Sequence, residues 1–588
     1  MAESAVQWAY RAQKRLGVHA GVPSFNEADG FDGAHQGARM LEYSPNGALL
    51  AVALEQGVRI YEVQDTSLHL RHELPVAKTI ELSFSPLGTY LSTWERPVKH
   101  EEGTQVSWSK NLRVWDTQSG AQIAEFERRQ LDGCFFQFTA DEAHCVRLAG
   151  SELQVYAPAQ LAAGPVGRLR AENIGTFQLG PGAKPSVAVF FPEKKGAPAF
   201  VKIFPLSALL TASPAHVAQK SFFKADKVTF KWNATGTSLL LMTATDHDQT
   251  GKSYYGETNL YMLSARGDFD CRVSLDKEGP IHDFAWNPNA REFLVLYGYM
   301  PAKAVIFSYR VNLIAELGTQ PRNLIAFNPQ GRLFCLAGFG NLAGTVDIWD
   351  RENLGAGKRA TLDASNSTAL QWSPDGHFLL TGTLSPRLRV ENGVKVWHCS
   401  GALVHVFMVD EMYQVVFRPA AGAPPAFPAA IPAAPAPSAA AAELIAKKTA
   451  SARPTGAYRP PGARSAGTST SDYLRRHEDL GAAPAPSQAK YTPPGGAKGR
   501  RGKVPGAPPG APPAAKPAPK PAMGAADVSA QSAEAQTTEK RLRNLTKKLK
   551  AIEQLKERRD QGETLEQTQL QKIETEQEIR SELASLGG

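Results

Sequence analysis

Residues 372–380, WSPDGHFLL, join a tight turn to an apolar strand, and this short unit decides the fold. In such a turn proline presets φ at the second position, aspartate closes a local hydrogen bond and glycine accepts a positive φ. The unit recurs, with the middle of the turn at residues 45, 86, 140, 181, 234, 288, 329, 374 and 419, spaced 41 to 54 residues apart. That period fits one four-stranded blade of a β-propeller.

A third strand follows most of these units, with alternating apolar residues that end in Trp-Asp or another aromatic. Examples are VRIY at 58–61, LRVWD at 112–116, VKIF at 201–204, VDIWD at 346–350 and VKVW at 394–397. Nine turns with eight clear third strands predict an all-β, WD40-like propeller over residues 1–419, with nine blades, or eight as the fallback. We expect the last blade to close by pairing residues 6–10 with residues 414–417, which removes free sheet edges.

The charge of the chain is unevenly divided. Residues 1–419 carry 40 Lys/Arg and 41 Asp/Glu, a net charge of −1, whereas residues 420–588 carry 25 and 16, a net charge of +9. Residues 420–533 consist largely of Ala, Pro, Gly and Ser. With few apolar anchors, they cannot offset an ordering cost of about 1–2 kcal/mol per residue. This composition predicts a disordered basic linker.

The last segment, residues 534–588, regains helical character. Apolar residues spaced three or four apart predict an amphipathic helix, and they are Leu542, Leu545, Leu549, Ile552 and Leu555. Residues 540–559 hold nine Lys/Arg and two Glu, whereas residues 560–588 hold seven acidic and two basic side chains. Opposite charges favour an antiparallel helical hairpin, and one long helix is the alternative.

Basic side chains of the tail are the candidate RNA- and ribosome-binding residues, because several phosphate contacts give strong, salt-dependent binding. The candidates are Lys540, Arg541, Arg543, Lys547, Lys548, Lys550 and Lys556 in the helical segment, and Arg500, Arg501 and Lys503 in the linker. The alternative for the helical segment is an amphipathic helix that packs on a protein partner.

Three loop-like segments of the propeller, residues 220–227, 297–303 and 386–393, mix aromatic or apolar side chains with charges. Such a mixture can stack nucleic-acid bases while neutralising phosphates. The candidate surface residues are Lys220, Phe222, Phe223, Lys224, Lys227, Arg387 and Arg389. The alternative is that the aromatics fill space between blades while the charges face solvent.

Catalytic, metal and nucleotide sites are not predicted. Residues 246–253, DHDQTGKS, end like a phosphate-binding loop, but Asp246 replaces the first required glycine and strand-like sequence follows. Neither His247 nor His282 has a second ligand at a recognisable spacing, and the five cysteines contain no CxxC pair. We therefore expect a non-enzymatic, cytoplasmic protein without cofactor. No apolar run is long enough for a membrane span, so no membrane partner is expected either.

Several longer runs resemble the eukaryotic translation initiation factor 2A family, a family of single-chain factors. They are KSFFKADKV at 220–228, SYYGE at 253–257, MPAKA at 300–304, GFGNL at 338–342, PRLRV at 386–390, AYRPP at 457–461 and KKLKAIEQLK at 547–556. The resemblance extends from about residue 20 to the end, although residues 465–533 match only in compositional bias.

The resemblance implies a nine-bladed propeller that associates with the small ribosomal subunit. It further implies delivery of initiator methionyl-tRNA that depends on the start codon rather than on GTP, including alternative initiation. Its implied partners are the small subunit, initiator tRNA, mRNA and other initiation factors, with the C-terminal helices as a ribosome-binding tail. We expect the factor to be a monomer.

Two other classes of function compete with this prediction. One is a generic propeller scaffold for protein complexes with an incidental basic tail. The other is a propeller enzyme or nucleotide-binding protein, which would require GTP or ATP binding that Lys252→Ala abolishes.

Overall fold

The computed structural model of the chain describes residues 6–28, 37–65, 67–102, 105–129, 136–194, 197–223, 225–245 and 256–452. It also describes six residues near the C-terminus, and they are Leu549, Ile552, Lys556, Glu576, Gln577 and Arg580. By contacts the chain divides into two units, Met1–Ser465 and Ala466–Gly588. The first unit contains the propeller.

The first two strands, β1 (Gln7–Ala12) and β2 (Leu16–Ala20), pair with each other ahead of the first complete blade. Within the described residues, eight four-stranded antiparallel blades follow. Blade 1 consists of β3 (Met40–Tyr43), β4 (Leu49–Ala53), β5 (Val58–Gln64) and β6 (Ser67–Leu74). Blade 2 consists of β7 (Glu81–Phe84), β8 (Tyr90–Trp94), β11 (Leu112–Asp116) and β12 (Gln122–Phe126). The hairpin of β9 (Lys99–Glu102) and β10 (Gln105–Trp108) is inserted between β8 and β11 of blade 2.

Blades 3 to 5 have four strands each in chain order. Blade 3 consists of β13 (Gln137–Phe138), β14 (Cys145–Ala149), β15 (Glu152–Tyr156) and β16 (Gly167–Arg170). Blade 4 consists of β17 (Thr176–Leu179), β18 (Ser186–Phe191), β19 (Ala199–Pro205) and β20 (Ala218–Phe222). Blade 5 consists of β21 (Lys227–Trp232), β22 (Ser238–Ala244), β23 (Thr258–Ser264) and β24 (Asp270–Arg272). A 3₁₀ turn, Pro158–Ala163, precedes β16, and the short helix α1 (Leu206–Leu209) precedes β20.

Blades 6 to 8 repeat the same order. Blade 6 consists of β25 (Ile281–Trp286), β26 (Glu292–Tyr297), β27 (Ala302–Ser308) and β28 (Leu313–Gln320). Blade 7 consists of β29 (Leu324–Phe327), β30 (Leu333–Ala337), β31 (Thr345–Asp350) and β32 (Ala360–Asp363), with a 3₁₀ turn, Arg351–Ala356, before its last strand. Blade 8 consists of β33 (Ala369–Trp372), β34 (Phe378–Thr383), β35 (Gly393–His398) and β36 (Leu403–Met408).

The ninth blade closes the ring. Strand β37 (Met412–Phe417) pairs with β1 in the order β2-β1-β37, so that Trp8 lies opposite Phe417 and Tyr10 opposite Val415. The predictions of nine blades and of closure by the two ends of the propeller sequence are confirmed. The fallback of eight blades is wrong, because β37, β1 and β2 form a sheet of their own.

The core of the described residues consists of nine apolar clusters, one at each interface between neighbouring blades. The middle strands β4, β26 and β30 are buried at every position, because each blade packs against neighbours on both faces. The outermost strand β28 is largely exposed, as an edge strand is. Burial thus falls from the middle of each blade toward its rim.

The recurring turns also bond to one another across blades. The side-chain amide of Asn46 donates to the carbonyl of Leu87, and that of Asn287 donates to the carbonyl of Gly331 at 2.9 Å. At the closure Arg418 donates to the carbonyl of Gly47 at 2.7 Å. Gly47 has φ +68°, and a Cβ there would lie 2.0 Å from the Pro419 carbonyl oxygen. Glycine is therefore required both by conformation and by the close approach of the next blade.

The sequence predicts disorder from residue 420 onward, and this prediction is wrong for residues 420–452. This segment lies against blades 7 and 8 and ends in the helix α2 (Ala439–Ala452). Its Phe427 ring contacts Arg332 and His377, with the guanidinium 5.5 Å from the ring centroid. The Arg332 guanidinium donates to the Pro428 carbonyl at 2.6 Å. A few anchors thus order a segment whose average composition resembles a linker.

Helix α2 is held at both ends. The Ser438 amide donates to the Val404 carbonyl at 2.8 Å, and the Ser438 hydroxyl accepts from the Ala441 amide as an N-cap. Near the other end Lys448 forms an ion pair with Asp363 at 2.7 Å. The helix consists largely of alanine, which has the highest helix propensity, and this explains why an Ala-rich stretch becomes ordered once it is anchored.

Candidate functional site

The topology of a blade decides where its connections lie. In an antiparallel four-stranded blade, the connection from the second strand to the third and the connection to the next blade lie on the same face. The connection between blades 4 and 5 lies between Phe222 and Lys227, whereas residues 298–301 and 384–392 join second and third strands in blades 6 and 8. Each of the three segments singled out in the sequence therefore contributes residues to the same face of the propeller.

We call this surface the loop face and define it by residues 223, 225–227, 298–301, 338–344 and 384–392. A cleft of about 750 Å³ opens on it across blades 5 to 8. Lys227, Met300 and Arg387 line this cleft, so each of the three segments contributes one residue. The remaining apolar lining includes Ile281, Phe339 and Leu342.

Side-chain hydrogen bonds fix the wall formed by residues 338–344. The Asn323 amide group donates to the Phe339 carbonyl and its oxygen accepts from the Phe339 backbone amide, both at 2.9 Å. His282 also lines the cleft, with Nε2 2.8 Å from the Gly298 carbonyl oxygen. These contacts position the cleft before any partner binds, which reduces the entropy lost on binding.

The loop that carries Met300 is fixed by charge. Lys303 contacts Asp276 at 2.5 Å and Glu316 at 2.9 Å, and the Tyr297 hydroxyl donates to Asp276 at 2.6 Å. The hydrogen bonds from Lys303 and then Tyr297 lower the pKa of Asp276, and the same carboxylate raises the pKa of Lys303. Burial, followed by the bond to Asp276, raises the pKa of Tyr297. Asp276 therefore stays ionised and clamps both ends of the loop.

The structure separates the two predicted aromatic candidates. Phe222 is 3% exposed and packs edge-on against Tyr261, with ring centroids 4.8 Å apart, whereas Phe223 is 78% exposed. Lys220 lies on the same side of β20 as Phe222 and pairs with Asp270 of blade 5. The prediction of Phe222 as a surface residue is wrong, because strand alternation turns it into the interface between blades 4 and 5.

This placement predicts opposite outcomes for two adjacent residues. Phe222→Ser is expected to lower the free energy of unfolding by about 3–5 kcal/mol, because it removes a buried ring and leaves a cavity. Phe223→Ser is expected to change it by less than about 0.5 kcal/mol, as surface substitutions do. Urea unfolding followed by tryptophan fluorescence measures both variants. Equal losses would show that the two rings are not divided between core and surface.

Some of the other predicted site residues are placed by the described structure, and the rest lie outside the described residues. Arg387 and Arg389 are exposed in the connection between β34 and β35, and Lys227 is exposed at the start of β21. Lys556 belongs to a helical turn of the second unit. The phosphate-loop-like residues 246–253 all lie outside the described residues. The other predicted positions outside them are Lys224, Arg500, Arg501, Lys503, Lys540, Arg541, Arg543, Lys547, Lys548 and Lys550.

Sequence reasoning did not assign His282, Asn323 or residues 338–342 to a site. Of these, the run GFGNL at 338–342 carried a usable signal, because two glycines in five residues between strands indicate a connection of unusual backbone shape. Gly340 has φ +83°, and a Cβ there would lie 3.1 Å from the Arg387 guanidinium. No local pattern reveals that Asn323 reaches this loop.

Within the described part of the chain, no group of three or more His, Cys, Asp and Glu side chains is arranged to hold a metal ion. Nor is any helix there sufficiently long and apolar to span a membrane.

Comparison with known proteins places this chain in a family. A family profile described as eukaryotic translation initiation factor eIF2A matches residues 220–415, and a profile for the C-terminal domain of eukaryotic translation initiation factor 2A matches residues 540–586. The Schizosaccharomyces pombe factor 2A is 43% identical over 586 residues, covering 99% of this chain and 98% of that relative. The chain belongs to the eukaryotic translation initiation factor 2A family.

Further members of the translation initiation factor 2A family agree with this placement. The Dictyostelium discoideum factor 2A is 32% identical over 580 residues, covering 97% of this chain and 89% of that relative. A solved structure titled "Crystal structure of the eukaryotic initiation factor" is 42% identical, with a TM-score of 0.64, and covers 71% of this chain and 99% of that one. The resemblance predicted from the sequence is confirmed, and membership of this family supports a role in translation initiation.

Proposed function

We propose that this chain promotes translation initiation at the small ribosomal subunit by aiding delivery of initiator methionyl-tRNA. In this proposal delivery depends on the start codon rather than on GTP and extends to alternative initiation. One observation carries the proposal: the family profile matches residues 220–415, and this segment contains every residue of the loop face. The second profile matches residues 540–586, the predicted ribosome-contacting tail.

The proposal divides the work between two parts of the chain. The propeller, with a net charge of −1 over residues 1–419, is a rigid platform, because its loops are held by bonds such as those of Asn323 and Asp276. The tail, with a net charge of +9 over residues 420–588, supplies affinity for ribosomal RNA and mRNA. Other initiation factors are the proposed protein partners of this cytoplasmic, monomeric factor.

The described residues of the second unit favour a hairpin for the tail. Lys556 and Glu576 form an ion pair, and Glu576 also pairs with Arg580 at 2.8 Å. A straight helix would place positions 556 and 576 about 30 Å apart, which is too far for an ion pair between their side chains. Ile552 is buried, in keeping with an apolar seam. We therefore propose that the tail presents its basic segment from one arm of a helical hairpin.

The central test is stimulated binding of initiator methionyl-tRNA. We expect the full chain to increase retention of labelled tRNA on small subunits programmed with an AUG codon, equally with and without GTP. Replacement of AUG by a codon that does not pair with the anticodon is the control and should abolish the increase. Absence of stimulation, or stimulation that requires GTP, would contradict the proposed function.

Deletion of residues 534–588 is expected to abolish co-sedimentation with small ribosomal subunits at moderate salt, because it removes the basic helical segment. A sharper variant replaces Lys547, Lys548 and Lys550 with glutamate, which reverses three charges and should weaken binding while making the remaining binding less dependent on salt. Arginine at the same three positions keeps the charge and should preserve binding. Sedimentation unchanged by the deletion would refute tail docking and favour the generic scaffold.

A further inference from the structure

We propose that the cleft on the loop face binds an acidic peptide segment of a protein partner. The partner's carboxylate would lie on Arg387, and its apolar side chains would enter the cleft between Met300, Phe339 and Leu342. This inference rests on the proposed function only in taking the loop face as a working surface of the factor. The partner is defined by its chemistry: a short segment that alternates acidic with large apolar residues.

Exposed apolar side chains are also present on the loop face, and one of them, Met300, lines the cleft. Phe223, Tyr299, Met300 and Val390 are 78%, 45%, 40% and 73% exposed, and all four belong to the loop face. Large apolar side chains exposed together mark interaction surfaces, since single ones are scattered elsewhere on a protein. Aromatic residues, Met and Arg are also the types enriched at protein–protein interfaces. The composition of the loop face therefore favours a protein partner.

The charged part of the cleft is cationic. Lys227 and Arg387 line it, and no Asp or Glu is among its described lining residues. The Arg387 guanidinium donates to the Asn341 side-chain oxygen at 3.4 Å, and Arg387 forms no ion pair with a described residue. A planar guanidinium accepts a carboxylate through two parallel hydrogen bonds, which gives direction as well as affinity.

The surrounding charges argue against RNA at this cleft. The described residues of the connections around it include as many acids as cations, and they are Lys227, Lys277, Arg322, Arg387 and Arg389 against Asp226, Glu257, Asp276, Glu278 and Glu391. A polyanion requires a continuous excess of positive charge, which this balance does not provide. Phe222 and Lys220, two of the predicted base-stacking and phosphate-binding groups, are engaged between blades. One or two carboxylates on a peptide match the local charge better.

The test uses a library of random 12-residue peptides displayed on phage and selected against the full chain, with an excess of the soluble Arg387→Glu variant as competitor. We expect the selected peptides to be enriched in Asp and Glu together with Phe, Leu or Trp. A selected peptide, labelled with fluorescein, should bind the full chain in anisotropy titrations. Arg387→Glu and Met300→Asp should each weaken that binding at least tenfold.

Lys184→Glu is the matched control, because it makes the same change of charge at an exposed site in the connection between β17 and β18, on the opposite face. It should leave peptide affinity within twofold, and all three variants should unfold at the temperature of the parent protein. The proposal is overturned if no acidic sequence is selected, or if Arg387→Glu leaves peptide affinity unchanged. It is equally overturned if Arg387→Glu abolishes binding of a 12-nucleotide oligouridylate while sparing the peptide.

The two proposals fail in different ways. If the cleft does not bind acidic peptides, GTP-independent stimulation of tRNA binding by the full chain is still expected. If the factor does not act in initiation, that stimulation is absent whatever the cleft binds.

Discussion

Replacement of Asp347 with alanine is expected to lower the free energy of unfolding by about 3–5 kcal/mol, because it leaves a buried cation without its partner. Asp347 is fully buried in β31 and accepts two bonds from the Arg322 guanidinium, at 2.7 and 3.0 Å. Lys358 and Thr361 bond to its other carboxylate oxygen, at 3.3 and 2.8 Å. Chemical denaturation followed by circular dichroism measures the loss.

Asp363→Ala is the matched control in the neighbouring strand β32. Its carboxylate pairs with Lys448 at 2.7 Å, but the side chain is 62% exposed, so we expect a loss below about 1 kcal/mol. Hydrogen bonds from Lys448 and then Ser365 lower the pKa of Asp363 to about 2, so it is ionised throughout the neutral range. A double variant that adds Arg322→Met to Asp347→Ala should recover part of the loss, because the orphaned charge is gone. Equal losses for the two aspartates would refute the assigned role of burial.

Trp8→Ala is expected to produce a loss of similar size, about 3–5 kcal/mol, and to act on the closure of the ring. Trp8 is 1% exposed in β1, stacks on His19 with ring centroids 4.6 Å apart and contacts the edge of Phe407. The cavity would lie between blades 8 and 9, at the interface that joins the two ends of the propeller. Thermal unfolding and size-exclusion chromatography would show a lower midpoint and association through the opened strand edges.

Trp108→Ala provides a control of the same chemistry. Trp108 lies in the inserted hairpin β9–β10, where it is half-buried and Arg129 packs over its ring at 5.4 Å. We expect this variant to lose less than about 1.5 kcal/mol and to remain monomeric, since the hairpin is not part of the ring. If Trp8→Ala proves no more damaging than Trp108→Ala, the closing blade does not limit the stability of the propeller.

The candidate site was predictable in part. Residues 220–227, 297–303 and 386–393 were identifiable as candidate surface segments because they mix aromatic or apolar side chains with charges, which the blade pattern does not require. The orientation of each side chain was not predictable: Phe222 and Phe223 are adjacent aromatics, and only the pairing of β20 with β19 turns one inward and the other outward. Residues 420–452 show a related limit, since Phe427 and Arg332 are 95 positions apart in the chain yet form one contact.

The sequence by itself determined the propeller fold, the turns that separate the strands of its blades, and the division between a neutral propeller and a basic tail. These properties depend on local chemistry, such as the proline and glycine of each turn and the period of the apolar residues. The tertiary structure alone decided that β2, β1 and β37 form a ninth sheet of their own, that three distant loops line one cleft, and that α2 lies on blade 8. These arrangements depend on contacts between residues remote in sequence, whose energies no local pattern records.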